Sequence, residues 1–159
     1  MKPAKTPENP LKKYGKYLIA VLAIAAVILV ASYFLIPQSD SARFQEAGAL
    51  YTKSVDLANA GSYSEALTDS DQALALNVTP LIPIIQANRA GILVALGRNT
   101  EAITAADVAL AGRGNLSTLK SIAWFNKGNA LVNLGRISEA RAAYSNATAL
   151  DPTLKAPAI

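Results

Sequence analysis

Residues 124–152, WFNKGNALVNLGRISEARAAYSNATALDP, decide the fold. They read as a helix, a glycine turn at Gly135 and a second helix that ends before Pro152. The glycine follows the last apolar residue of the first helix, where a left-handed C-cap is wanted. Ser138 and Glu139 follow, in the first turn of the second helix, where negative charge suits a helix N-terminus. Two earlier stretches carry the same skeleton: Gly61 to Glu65-Ala66 and Ala73-Leu74, and Gly97 to Glu101-Ala102 and Ala109-Leu110. Ser64 and Thr100 precede the glutamate as Ser138 does, and Ser62 with Glu65 has the spacing of a capping box. The three glycines lie 36 and 38 residues apart. Three helix-turn-helix units of one design predict an all-α stack, since each pair buries only part of its apolar face alone. Small residues (Ala66, Ala102, Ala140, Gly128) are expected where helices approach closely. Large ones such as Trp124, Leu131 and Tyr144 fill the gaps between pairs.

Trp124, Gly128, Gly135, Ala140, Tyr144, Ala147 and Pro152 fall at the spacings of the tetratricopeptide repeat, and this segment resembles that family. Lys127 and Leu131 stand where the motif prefers Leu and Tyr. The second unit keeps Ala90, Leu93, Gly97, Ala102 and Ala109, but Gln86 replaces the tryptophan and Gly114 the closing proline. The first keeps Leu57, Gly61, Ala66 and Ala73, with Ser54 as its small residue. Extra residues around 77–82 and 112–115 account for the lengthened period. The resemblance implies an α-solenoid of three repeats over residues 47–154, with a tail at 155–159. It also implies a concave groove lined by the first helix of each pair. That groove would hold Tyr51, Val55, Ala58 and Asn59, then Ile84, Ala87, Gly91, Val94 and Ala95, then Ile122, Phe125, Asn129, Val132 and Asn133. Relatives that clamp a peptide carboxylate place lysines and arginines there; only Asn129 matches that scheme, so an apolar protein segment is the expected ligand.

Upstream, residues 17–36 form a run of twenty without a charge, twelve of them Leu, Ile, Val or Phe. Twenty helical residues span the roughly 30 Å hydrocarbon core. Lys12, Lys13 and Lys16 precede the run and predict that the basic tail, residues 1–16, stays cytoplasmic. A transmembrane signal anchor at 17–36, a linker and juxtamembrane helix start at 37–46, and a periplasmic or extracellular repeat domain follow. A cleaved signal ending near Ala31 is the competing expectation, but its apolar core would be shorter.

The pI of 9.4 does not indicate nucleic-acid binding. Five lysines lie in residues 1–16, whereas residues 37–159 balance ten basic against ten acidic side chains. A phosphate-binding surface needs a basic patch on the folded part. The chain has no His and no Cys, which removes the common nucleophile–base pairs and most transition-metal sites. No catalytic residue, metal or cofactor is expected, and Asp69 and Asp71 read as solvated surface. The sequons at Asn77, Asn115 and Asn146 are candidate glycosylation positions, the first two in loops and the third inside a helix. Ser117 reads as an N-cap.

The resulting expectation is a membrane-tethered, non-enzymatic adaptor that binds a protein partner as an assembly factor or accessory subunit. The alternative is a self-assembling, glycosylated extracellular structural protein, such as a filament or surface-layer component. Its homo-oligomer would form through the last repeat, whose C-terminal flank has no helix left to cap it.

Overall fold

The computed structural model describes residues 39–113 and 116–159, together with Val27. Among them are six α-helices: α1 (Asp40–Asn59), α2 (Tyr63–Ala75), α3 (Ile82–Ala95), α4 (Asn99–Ala111), α5 (Ser117–Asn133) and α6 (Ile137–Leu150). One 3₁₀ turn, Thr79–Leu81, precedes α3. The helices pack as successive hairpins, α1 with α2, α3 with α4 and α5 with α6, and each hairpin packs on the next. This is the all-α repeat stack expected from the sequence, with the first helix starting seven residues before residue 47. Apart from Val27, the anchor expected at 17–36 lies outside the described residues, as does Asn115. Among the described residues no helix is long and apolar enough to cross a membrane.

Each hairpin turns on its glycine. Gly61, Gly97 and Gly135 have φ of 81°, 73° and 71°, a region that costs any residue with a Cβ. Around Gly97, the Arg98 N–H donates to the Leu93 carbonyl and the Gly97 N–H to that of Val94. The same pair of bonds recurs at Gly61 and Gly135, so carbonyls left over at the helix end are satisfied.

The starts of the second helices depart from expectation. Ser62 makes no side-chain cap bond, so the capping box with Glu65 does not form. The N-cap positions of α4 and α6 are Arg98 and Arg136. Each guanidinium forks onto the glutamate three residues on, Arg98 to Glu101 and Arg136 to Glu139, at 2.7 and 2.6 Å. These hydrogen bonds hold both carboxyls below the ordinary glutamate value. Ser64, Thr100 and Ser138 fall inside the first helical turn, and Ser117 begins α5, with Leu116 as its N-cap.

Alanine makes the close approaches: Ala66, Ala90, Ala102, Ala106, Ala130, Ala140 and Ala147 are fully buried. Ile85, Leu93 and Leu131 are the largest fully buried side chains among the described residues. Burying a side chain of that size contributes about 1.5–3 kcal/mol. Gly128 meets the Tyr144 ring so closely that a Cβ there would lie 2.6 Å from Tyr144 Cε1.

Polar contacts set the register between hairpins. Ser54 Oγ, fully buried, donates to the Ala66 carbonyl, shares a hydrogen bond with Ser70 Oγ at 2.7 Å and accepts from Asn88 Nδ2 at 3.1 Å. One hydroxyl thereby ties α1, α2 and α3 together at its full bonding capacity. Asp71 pairs with Arg89 at 2.7 Å, and Asp107 with Lys127 at 2.6 Å. In both pairs the acid lies on the second helix of one hairpin and the base on the first helix of the next. Neither Asp69 nor Asp71 is therefore simple solvated surface. Asp69 is buried with only 8% of its side chain exposed; Lys53 Nζ lies 3.0 Å from its Oδ2 and donates a hydrogen bond to its Oδ1 at 3.3 Å.

Beyond α6 the chain folds back. Ile159 packs against the cluster of Leu131, Ala140, Ala143 and Tyr144, and Arg141 donates to the Ile159 carbonyl. The C-terminal flank of the last hairpin is thus partly covered by its own tail.

Candidate functional site: an apolar groove across the first helices

The first helices α1, α3 and α5 share one face, and a cavity of about 690 Å³ lies across it. Helix α1 contributes Tyr51 and Val55, α3 contributes Ile84, Ala87 and Asn88, and α5 contributes Ser117, Thr118, Leu119 and Ile122. Pro80, Leu81 and Leu116, from the connections between hairpins, close its mouth. No charged side chain lines it. Partial burial pushes the Tyr51 phenol above its ordinary value, so Tyr51 presents a neutral hydroxyl at physiological pH. Asn88 is tied through Nδ2 to Ser54, which fixes the orientation of the amide in the groove wall. Ile122 is 43% exposed and stands ready for contact.

Of the residues that the resemblance placed in a groove, Tyr51, Val55, Ile84, Ala87 and Ile122 line this cavity together. The other expected groove residues do not line this cavity. Asn129 Oδ1 accepts from the Tyr144 hydroxyl at 2.7 Å, and Asn133 donates to Asn99 at 3.0 Å. Phe125 packs on the Tyr144 ring with centroids 5.3 Å apart. Val132 joins the same cluster, and Val94 packs against the core cluster that contains Leu93 and Ala130. Gly91 faces Asn126, whose amide donates to the Ala87 carbonyl. Asn59 is exposed at the end of α1. The apolar opening thus sits toward the N-terminal ends of α3 and α5, displaced from the middle of the face. Pro80, Leu81, Asn88, Leu116, Ser117, Thr118 and Leu119 were missed from sequence. The surplus of residues at 77–82 and 112–115 marked the longer connections that bring Pro80, Leu81 and Leu116 to the cavity, without showing where they fold.

Asn77 lies at the end of the first hairpin with φ of 52°. Asparagine tolerates this left-handed conformation, so the geometry of the turn itself accounts for an Asn there. Among the described residues no cluster of acidic side chains could hold a metal ion.

Comparison with known proteins agrees with this architecture. Tetratricopeptide-repeat family models match residues 51–116 and 121–154. No curated protein matches the chain. Among solved structures, the chain is similar to the first tetratricopeptide-repeat domain of Spaghetti (RPAP3) bound to the HSP90 peptide SRMEEVD. The two share 25% identity over 69% of this chain and 82% of that one, with a TM-score of 0.60. The first such domain of human RPAP3, solved by NMR, has the same identity and TM-score over 69% and 81%. The Schellman turns, the buried alanine positions and two family matches over more than half of the sequence converge: this chain belongs to the tetratricopeptide-repeat family.

Proposed function

We propose that the repeats form a protein-binding module whose groove takes an uncharged, apolar segment of a partner, and that residues 17–36 tether this module in a membrane with the repeats on the extracytoplasmic side. One observation carries the ligand class: twelve residues line the groove and none is charged. The peptide held by the similar RPAP3 domain, SRMEEVD, carries three acidic side chains. Burying carboxylates beside Tyr51, Ile84 and Leu119 would desolvate them with no cation in the groove lining to pair them, which is strongly unfavourable. An amphipathic helix or apolar strand instead gains from covering Ile84, Leu119 and Ile122, with the Asn88 amide and the Ser117 and Thr118 hydroxyls available to its polar atoms.

The tether rests on the sequence alone: its length, its lack of charge and the three lysines before it. An adaptor or accessory subunit acting on membrane-associated proteins follows from combining the two.

The groove is tested by fluorescence anisotropy against labelled apolar helical peptides and against SRMEEVD. Binding of apolar peptides that is lost in Ile122→Glu, with SRMEEVD unbound, is expected. Equal binding of both peptides, or apolar binding untouched by Ile122→Glu, would overturn the reading. Ile122 is preferred to Phe125 for this purpose, because Phe125 supports Tyr144 and its loss would disturb the fold. The topology is tested by adding protease to sealed cells. Digestion of the repeats in intact cells is expected, and their survival until lysis would reverse the assignment.

A further inference from the structure

One edge of the stack carries half-exposed apolar side chains drawn from three separate stretches of chain. The first turn of α1, with Phe44, borders a recess shared with Asn77, Val78, Thr79 and Pro80. Pro80 and Leu116 border a second recess with Pro83 and Val108, and both also frame the mouth of the groove. Phe44 is 47% exposed, Val108 41% and Leu116 47%. The charged residues in these two recesses are Asp40, Arg43 and Arg113, with Asp40 and Arg43 paired. Arg113 leaves these two recesses with a small positive excess. The opposite edge holds the glycine turns, where the exposed Leu134 and Ile137 lie beside the ion pairs Arg98–Glu101 and Arg136–Glu139.

The distance available to the chain selects what covers the first edge. The apolar run ends at Ile36 and α1 begins at Asp40. Four residues reach at most about 14 Å even when fully extended. If residues 17–36 span a bilayer, the start of α1 is held within that distance of the end of the hydrocarbon layer. Interfacial side chains bury about 5–10 Å into the headgroup and acyl boundary. We propose that this edge is a lipid-contacting surface, with Phe44, Val78, Pro80 and Leu116 seated in the headgroup region and Arg113 toward anionic lipid. The proposal rests on the membrane tether proposed above. It adds that the repeats lie against the membrane by a defined edge, so that the groove mouth opens next to the lipid. Partner segments that emerge directly from the bilayer would meet it first.

Because the chain has no cysteine, single probes can be placed without background. The full chain carrying Thr79→Cys or Ser138→Cys is labelled with an environment-sensitive fluorophore and reconstituted into phosphatidylcholine–phosphatidylglycerol vesicles. The probe at 79 should emit to the blue, be quenched by nitroxide-bearing lipid and resist aqueous iodide. The probe at 138, on the opposite edge, should behave in the reverse way. Leu116→Asp should return the probe at 79 to aqueous emission while helicity by circular dichroism stays unchanged. Equal iodide access at both positions in chains that float with the vesicles after alkaline carbonate would overturn the edge contact alone. Failure to float would overturn the tether and the edge contact with it. A glycan on Asn77 in the native protein would also overturn it, since that side chain lies in the proposed contact.

Discussion

Replacing Gly128 by Ala tests whether the stack is held by close helix approach or merely by general apolar burial. An ideal Cβ at this position would lie 2.6 and 2.7 Å from Tyr144 Cε1 and Cδ1. The ring has nowhere to retreat: it is 3% exposed, leans on Phe125 and donates its hydroxyl to Asn129 at 2.7 Å. Overpacking of this kind costs about 1–3 kcal/mol. Displacing the ring also weakens the Tyr144–Asn129 bond, worth about 1 kcal/mol. Alanine is favoured over glycine inside a helix by about 1 kcal/mol, which offsets part of the loss. The expected net destabilisation is therefore about 1–3 kcal/mol. Urea unfolding of residues 39–159, followed by circular dichroism and by the fluorescence of the sole tryptophan, Trp124, measures it. The decisive comparison adds Tyr144→Leu. Without the ring, Gly128→Ala should become neutral or stabilise by up to about 1 kcal/mol, its helix propensity no longer opposed. If Gly128→Ala is neutral or stabilising with Tyr144 present, the close approach does not hold the third hairpin and the argument fails.

Gly97→Ala should destabilise by about 1 kcal/mol in the same unfolding assay. A Cβ there meets nothing within 4 Å, so the cost comes from φ of 73° alone. Ser54→Ala leaves Ser70, Asn88 and the Ala66 carbonyl short of a partner inside the protein. A loss of about 1–3 kcal/mol is expected, and hydrogen exchange should show loosening between the first two hairpins. Gln86 stands where the third repeat has Trp124 and buries its Oε1 without a hydrogen-bond partner. Gln86→Leu should accordingly raise the unfolding midpoint, and a lowered midpoint would mean that the amide is satisfied after all. Glu101 and Glu139 are held below their ordinary value by hydrogen bonds from Arg98 and Arg136. Their contribution is complete above the unfolded glutamate pKa of about 4.3 and is lost as pH falls through the lower folded value. Urea midpoints should thus decline below about pH 4, and Arg98→Ala with Arg136→Ala should flatten that decline.

The hairpins were legible because they rest on local chemistry. A left-handed turn requires glycine, and Gly61, Gly97 and Gly135 recur with a glutamate four residues later in each repeat. Alanine at matched positions then marked the close contacts, as the buried Ala66, Ala102 and Ala140 bear out. The capping chemistry was misread because Ser62 and Arg98 hold equivalent positions, and residue type alone does not tell which side chain will bond.

The groove was legible only in part, for a reason that reaches beyond local pattern. The family resemblance placed Tyr51, Val55 and Ala87 on the inner face, and all three line the cavity. Whether a side chain on that face stays open depends on what the neighbouring hairpin brings to it. Tyr144 from α6 takes up both Phe125 and Asn129, and Asn99 from α4 takes up Asn133. Pro80 and Leu116 arrive from connections whose spacing carries no periodic signal. Asp69 likewise looked like solvated surface until packing buried it beside Lys53. The sequence by itself determined three glycine-turned hairpins and their order, because backbone conformation and apolar periodicity act within a few residues of each other. Tertiary structure alone decided where the stack leaves an uncharged opening, because that depends on side chains 30 or more residues apart competing for the same space.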